Sequence, residues 1–176
     1  VRALDPSTEL IALARRTDEK TFVAKHKGIF LVVSEAGDAA PEANVRETRR
    51  TERDHLAAAP APKSFKIVPV ARRGTSPFAD MVTLGRAEEN DIVVRHTTVS
   101  KLHACFQENA AGVWTLTDKG STNGTWVGGM RLKPDEPLRL GPSELIDFGD
   151  CTFALKAADG LWRFIGAAAR AQAGPG

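Results

Sequence analysis

The stretch His103-Ala104-Cys105-Phe106-Gln107-Glu108-Asn109-Ala110-Ala111-Gly112-Val113-Trp114-Thr115-Leu116-Thr117 decides the fold class. Its two ends, His103–Gln107 and Val113–Thr117, alternate apolar and polar side chains, and Asn109 and Gly112 interrupt them. Successive side chains of a strand point to opposite faces, so Ala104 with Phe106, and Trp114 with Leu116, are predicted to face inward.

The same pattern extends both ways. Phe65–Val70, Met81–Leu84 and Asp91–Val94 precede it; Thr125–Val127, Pro137–Leu140, Leu145–Phe148 and Thr152–Leu155 follow. Short apolar runs broken by Gly, Asn, Asp and Pro over residues 64–157 predict an antiparallel β-sandwich or barrel. Pro69 lacks an N–H and favours an edge position for the first strand. Trp126, Leu132, Leu140, Ile146 and Phe148 are expected in the core, and function is expected in the loops at the sheet ends.

Three other zones flank this region. Residues 1–34 read as a helix-and-strand extension. Asp5-Pro6 is a helix start, Leu10, Ile11, Leu13 and Ala14 form its apolar face, and Arg15-Arg16 suit its C-terminal dipole. A second helix is predicted from Thr17 or Asp18 to about Lys27, stopped by Gly28. Ile29–Val33 follows as a buried strand, and the zone is expected to be a packing appendage. Residues 35–63 alternate in charge through Glu42, Arg46, Glu47, Arg49, Arg50, Glu52, Arg53 and Asp54, then run into the Ala/Pro linker Ala57–Pro62. In residues 158–176, Leu161–Ile165 is expected to dock as a last strand or short helix, with fraying from Gly166 onward.

Bulk composition excludes little but points away from some partners. With 24 Lys and Arg against 22 Asp and Glu, the net charge of +2 demands neither nucleic acid nor a membrane surface. Cys105 and Cys151 are far apart in strand-like runs, so reduced buried thiols are expected rather than a disulfide, and neither has a second cysteine at zinc-ligand spacing. No metal or other cofactor is called for. With no spanning-length apolar run and no leader pattern in the sequence, a cytoplasmic location is the default expectation.

The chemistry lies in three polar clusters at strand ends: Gly85-Arg86, Ser100-Lys101-Leu102-His103 and Gly120-Ser121-Thr122-Asn123-Gly124-Thr125. They offer a planar guanidinium fork, hydroxyls, an ammonium and an amide that both donates and accepts. Each has a plainer reading. Arg86 could pair with Glu88 or Glu89, Lys101 could be solvated, Ser100 and Thr122 could cap turns, and Asn123-Gly124 is a strong turn dipeptide. Ser100 with His103 invites a nucleophile-and-base reading, but no acidic partner motif or nucleophile elbow accompanies them, and an enzyme is not expected. Arg72, Arg73, Lys101, Arg131 and Lys133 could form a DNA-binding patch, though scattered basic residues are more often solvated.

Taken in order, Leu84-Gly85-Arg86, Asn90-Asp91-Ile92, Val99 to Ala104, Leu116-Thr117-Asp118, Gly120 to Thr125, Leu140-Gly141 and Phe148-Gly149 resemble a forkhead-associated (FHA) domain over roughly residues 65–156. The resemblance implies a sandwich of two twisted sheets with about eleven strands, which binds phosphothreonine peptides through loops at one end. It implies that Arg86, Ser100 and Lys101 face the phosphate, and that Thr122 and Asn123 contact the peptide, the Asn amide reaching its backbone. Thr98 matches the position that helps select the residue three after the phosphothreonine; it is uncharged, so no strong acidic demand is expected there, with Arg95 and His96 nearby. His103 is expected to brace the loops, and Gly85 and Gly120 to serve backbone geometry. Two departures stand out: Gly128-Gly129 where the family often has Asn-Gly, and Pro142 where an aspartate is usual. The implied partner is a phosphothreonine-containing protein, a Ser/Thr kinase or its substrate, and the implied role is an adaptor in kinase signalling. A phospho-independent scaffold using the sandwich flank or the N-terminal extension is the alternative.

Overall fold

Alternation of side chains along eleven strands sorts this chain into two sheets, in a computed structural model that describes residues 6–34, 65–74 and 78–173. The linker of residues 35–63 lies outside the described residues. One sheet runs β2 (Phe65–Pro69), β1 (Ile29–Ser34), β11 (Cys151–Ala157), β10 (Ser143–Phe148), β7 (Thr125–Val127), β8 (Met130–Arg131). The other runs β4 (Ile92–Val93), β3 (Val82–Gly85), β5 (Ala104–Glu108), β6 (Trp114–Asp118), β9 (Leu138–Arg139). Three helices lie among the described residues: α1 (Pro6–Arg16), α2 (Glu19–Lys25) and α3 (Ala158–Ala173). The protein is mainly β, and β2 with Pro69 is an edge strand, as expected from the missing N–H.

The inner faces of the sheets meet in a core where Leu31, Leu84, Phe106, Leu116, Ile146, Phe148 and Leu155 are fully buried. Ala104 and Phe106 point inward as predicted, Leu116 likewise, with Trp114 half-buried against the same core. Trp126 departs from expectation. Thr125 and Val127 take the inner face of β7, so parity puts Trp126 on the outer face, half-buried.

One strand pair is parallel rather than antiparallel: Leu84 pairs with Ile92 and Gly85 with Val93. The cause is a buried carboxylate. Asp91 accepts from the N–H and the hydroxyl of Thr83, both at 2.9 Å, and from Arg73 N at 2.8 Å, which draws the start of β4 back beside the start of β3. Burial alone would raise the Asp91 carboxyl pKa, but these hydrogen bonds outweigh it and hold it below 3.8.

Residues 6–34 are built into the sandwich rather than appended to it. β1 is hydrogen-bonded on both edges, Leu31 facing Val68 of β2 and Leu155 of β11. Its continuous apolar run follows from burial on both faces. Ile29 and Leu31 enter the inter-sheet core, while Phe30 and Val32 join Leu10, Phe22, Phe65, Ile67, Leu161 and Ile165 under the three helices. Asp18 caps α2 by accepting from Thr21 N at 3.0 Å. The tail expected to fray from Gly166 is helical to Ala173. Leu161, Ile165 and Ala168, spaced four and three apart, present one buried stripe to the sheet, and that burial outweighs the two helical glycines. Cys105 is buried and Cys151 half-buried.

Candidate functional site

The ends of β3 and β6 and the starts of β5 and β7 bring three loops together at one end of the sandwich. Gly85 makes the first junction possible. A Cβ there would lie 2.1 Å from the carbonyl oxygen of Lys101 and 2.9 Å from Asn90 Nδ2, so only glycine admits the approach. Across it, Arg86 N donates to Ser100 O at 2.8 Å and Ala87 N to Lys101 O at 3.1 Å. Asn90, buried, ties the same loops by donating to Lys101 O at 2.6 Å and Ala87 O at 2.8 Å.

These bonds set the cationic side chains. Arg86 is exposed, and its Nε donates to Val99 O at 3.2 Å, which lays the guanidinium beside the Ser100 loop. Its terminal nitrogens have no partner among the described residues. Glu88, one expected competitor, is instead gripped by Arg95 through two 3.0 Å bonds, and no ion pair joins Arg86 to Glu89. The Lys101 ammonium is likewise exposed without a partner among the described residues.

The second junction joins Ser100 to the β6–β7 loop. Ser100 Oγ accepts from Thr122 N at 3.0 Å and lies 3.4 Å from the Thr122 hydroxyl. Asn123 Nδ2 donates to Thr98 O at 2.8 Å, leaving its Oδ1 and second N–H open to solvent. The Thr98 hydroxyl is occupied, 2.8 Å from His96 Nδ1 and accepting from Asp150 N at 3.0 Å.

His103 lies beneath, fully buried. Its Nδ1 accepts from Ser100 N at 3.1 Å, so the ring proton sits on Nε2, 3.2 Å from Gly124 O. Its ring packs edge-on against Phe148 at 5.7 Å between centroids. Burial holds the imidazole below its ordinary 6.5, against the opposing pull of the Gly124 bond and Asp118. Both ring nitrogens are committed to backbone, and neither serves the Ser100 hydroxyl, which removes the nucleophile-and-base reading of this pair. Of the residues named for a DNA patch, Arg72 lies apart from Lys101: it bonds Ala79 O and lines a cleft of about 470 Å³ at the opposite end, near the start of β3, while Lys133 pairs with Glu136 at 3.5 Å.

Reading the sequence assigned no role to Asp118, which organises the third loop. It is buried and accepts from Ser121 N at 2.9 Å and from the Ser121 and Thr125 hydroxyls, both at 2.6 Å. Burial would raise its pKa, but these bonds prevail and lower it. Gly120 takes the left-handed φ of +72° that lets the loop turn around this carboxylate. The signal was present as Asp-x-x-Ser, an Asx-turn pattern at a strand end.

The FHA domain family model matches residues 82–149, the stretch that carries all three loops. Among curated proteins, E3 ubiquitin-protein ligase rnf8-A of Xenopus laevis is 35% identical over 77 residues, covering 42% of this chain and 14% of that protein. E3 ubiquitin-protein ligase DMA2 of Saccharomyces cerevisiae is 31% identical over 78 residues, covering 41% and 15%. The chain thus spans about a seventh of the length of these relatives. Among solved structures, Mycobacterium tuberculosis EmbR in complex with a low-affinity phosphopeptide is 16% identical, covers 85% of this chain and 29% of that one, and has a TM-score of 0.49. The N-terminal FHA domain of S. cerevisiae Rad53p in complex with a phosphothreonine peptide is 16% identical, covers 77% and 98%, and has a TM-score of 0.46. By its family match and by the loops that match contains, the chain carries an FHA domain.

Proposed function

We propose that this chain binds threonine-phosphorylated segments of other proteins and serves as an adaptor in Ser/Thr kinase signalling, its partner being a kinase or a kinase substrate. One observation carries the reading: the Arg86 fork, held at Val99 O, lies next to the loop that bears the Ser100–Thr122 hydroxyl pair and the exposed Lys101, with no carboxylate spent on either cation among the described residues. A phosphothreonine brings a charge of about −1.5 to −2 and three strong acceptor oxygens. The fork suits two of them, the Ser100 hydroxyl and Lys101 the third, and the free edge of the Asn123 amide suits the adjacent peptide backbone. The loops are tied by backbone bonds and by His103 before any ligand arrives, so little ordering cost accompanies capture.

A few charge-assisted bonds at about 1.5–3 kcal/mol each are the right size for a micromolar complex, near −8 kcal/mol. The test is fluorescence anisotropy with a phosphothreonine peptide and its unphosphorylated twin. Arg86→Ala is expected to cost ~2–5 kcal/mol of binding while the thermal melt stays in place. Equal affinity for the two peptides, or an unchanged affinity of the variant, refutes the proposal.

A further inference from the structure

We propose that Arg131 reads an acidic side chain flanking the phosphothreonine, an inference that rests on the phosphopeptide reading above. Arg131 faces Trp126 across the β7–β8 hairpin, and its Cζ lies 5.9 Å from the centre of the Trp126 ring. The same guanidinium lies against Gly124. A Cβ on Gly124 would be 2.7 Å from Arg131 Nε and 3.1 Å from Nη2, so the bare glycine, at φ +85°, provides the bed in which the side chain rests. Gly124 directly follows Asn123, whose amide is open on its outer edge.

Arg131 is exposed and has no ion pair among the described residues, whereas Arg95, Lys119, Lys133 and Arg163 are all matched to carboxylates. A guanidinium held between an aromatic face and a backbone surface has already lost much of its rotamer freedom, so an incoming carboxylate meets a preset cation. A peptide whose backbone reaches Asn123 passes its neighbouring side chains over Gly124, within reach of that cation. The ligand chemistry is therefore a carboxylate of Asp or Glu near the phosphothreonine, added to the phosphate grip of Arg86.

The experiment is a set of phosphothreonine peptides carrying Glu, Gln or Lys at each flanking position in turn, titrated against wild type, Arg131→Gln and Arg163→Gln. At one flanking position wild type should prefer Glu over Gln by about two- to fivefold, the scale of an exposed ion pair. Arg131→Gln should erase that preference, Arg163→Gln, an equal charge change on α3, should keep it, and added salt should shrink it. A wild type that needs the phosphate but is indifferent to Glu, or an Arg131→Gln variant with its preference intact, overturns the Arg131 assignment and leaves the phosphopeptide reading standing. Failure of wild type to distinguish phosphorylated from unphosphorylated peptides overturns that reading itself. Far-UV circular dichroism melts of the variants establish that each is folded.

Discussion

Replacing His103 by alanine tests whether the loops are braced from below. The fully buried imidazole joins Ser100 N to Gly124 O and packs on Phe148. In its absence the Ser100 N–H is left without a partner, at about 1–3 kcal/mol. Gly124 O keeps a second donor, Gly149 N at 3.1 Å, so that loss is smaller, about 0.5–1.5 kcal/mol. The void beside Phe148 adds a cavity cost, and the whole comes to roughly 3–5 kcal/mol, the upper range for one substitution. Urea unfolding followed by tryptophan fluorescence reads it directly. With a slope of about 1–3 kcal/mol per molar, the midpoint should fall by roughly 2 M. Phosphopeptide affinity should drop as well, since Ser100 and Gly124 lose their common anchor. A midpoint shift of less than about 0.5 M would show that the bonds through His103 contribute little, and the reasoning would fail.

Gly85→Ala forces a Cβ onto the Lys101 carbonyl and should destabilise by about 1–3 kcal/mol or more, whereas Gly160→Ala in α3, where the nearest atom is 3.7 Å away, should stabilise by up to about 1 kcal/mol in the same denaturation assay. Stability should also depend on pH in the mildly acid range: His103, and His26 through burial and Lys25, are both held below 6.5 when folded, so the unfolded chain binds the extra protons. The stability they contribute is fully present above about pH 6.5 and lost as pH falls, and His103→Ala should flatten part of that slope when unfolding is measured at a series of pH values.

The strands, the core pairs Ala104–Phe106 and the loop motifs were legible because alternation and turn chemistry are local. What the loops do inside was partly legible: the bracing of His103 followed from the family resemblance, but the anchoring roles of Asp118 and Asn90 did not, since a short polar residue at a strand end reads the same whether it faces water or a buried turn. Trp126 lies outside the core because Thr125 and Val127 fix the parity of β7 and turn it to the outer face. The helix through Gly166 was missed because Ala/Gly composition masks the Leu161, Ile165, Ala168 stripe. The neighbours of β1 were not legible at all. An apolar run announces burial on two faces, but not that Leu31 meets Val68 on one side and Leu155 on the other, across long separations in the chain.

That placement of β1 means the loop-bearing end is mounted on a chassis completed from upstream. A fragment trimmed to the family match, residues 82–149, would lose β1, β2 and β11 together with the three helices that cover them, and would leave β10 with a raw edge. By the same token β1 is a natural seam. It is held along both flanks by backbone bonds, so a nicked molecule has reason to stay whole, and two separately made pieces have a ready path to complement one another.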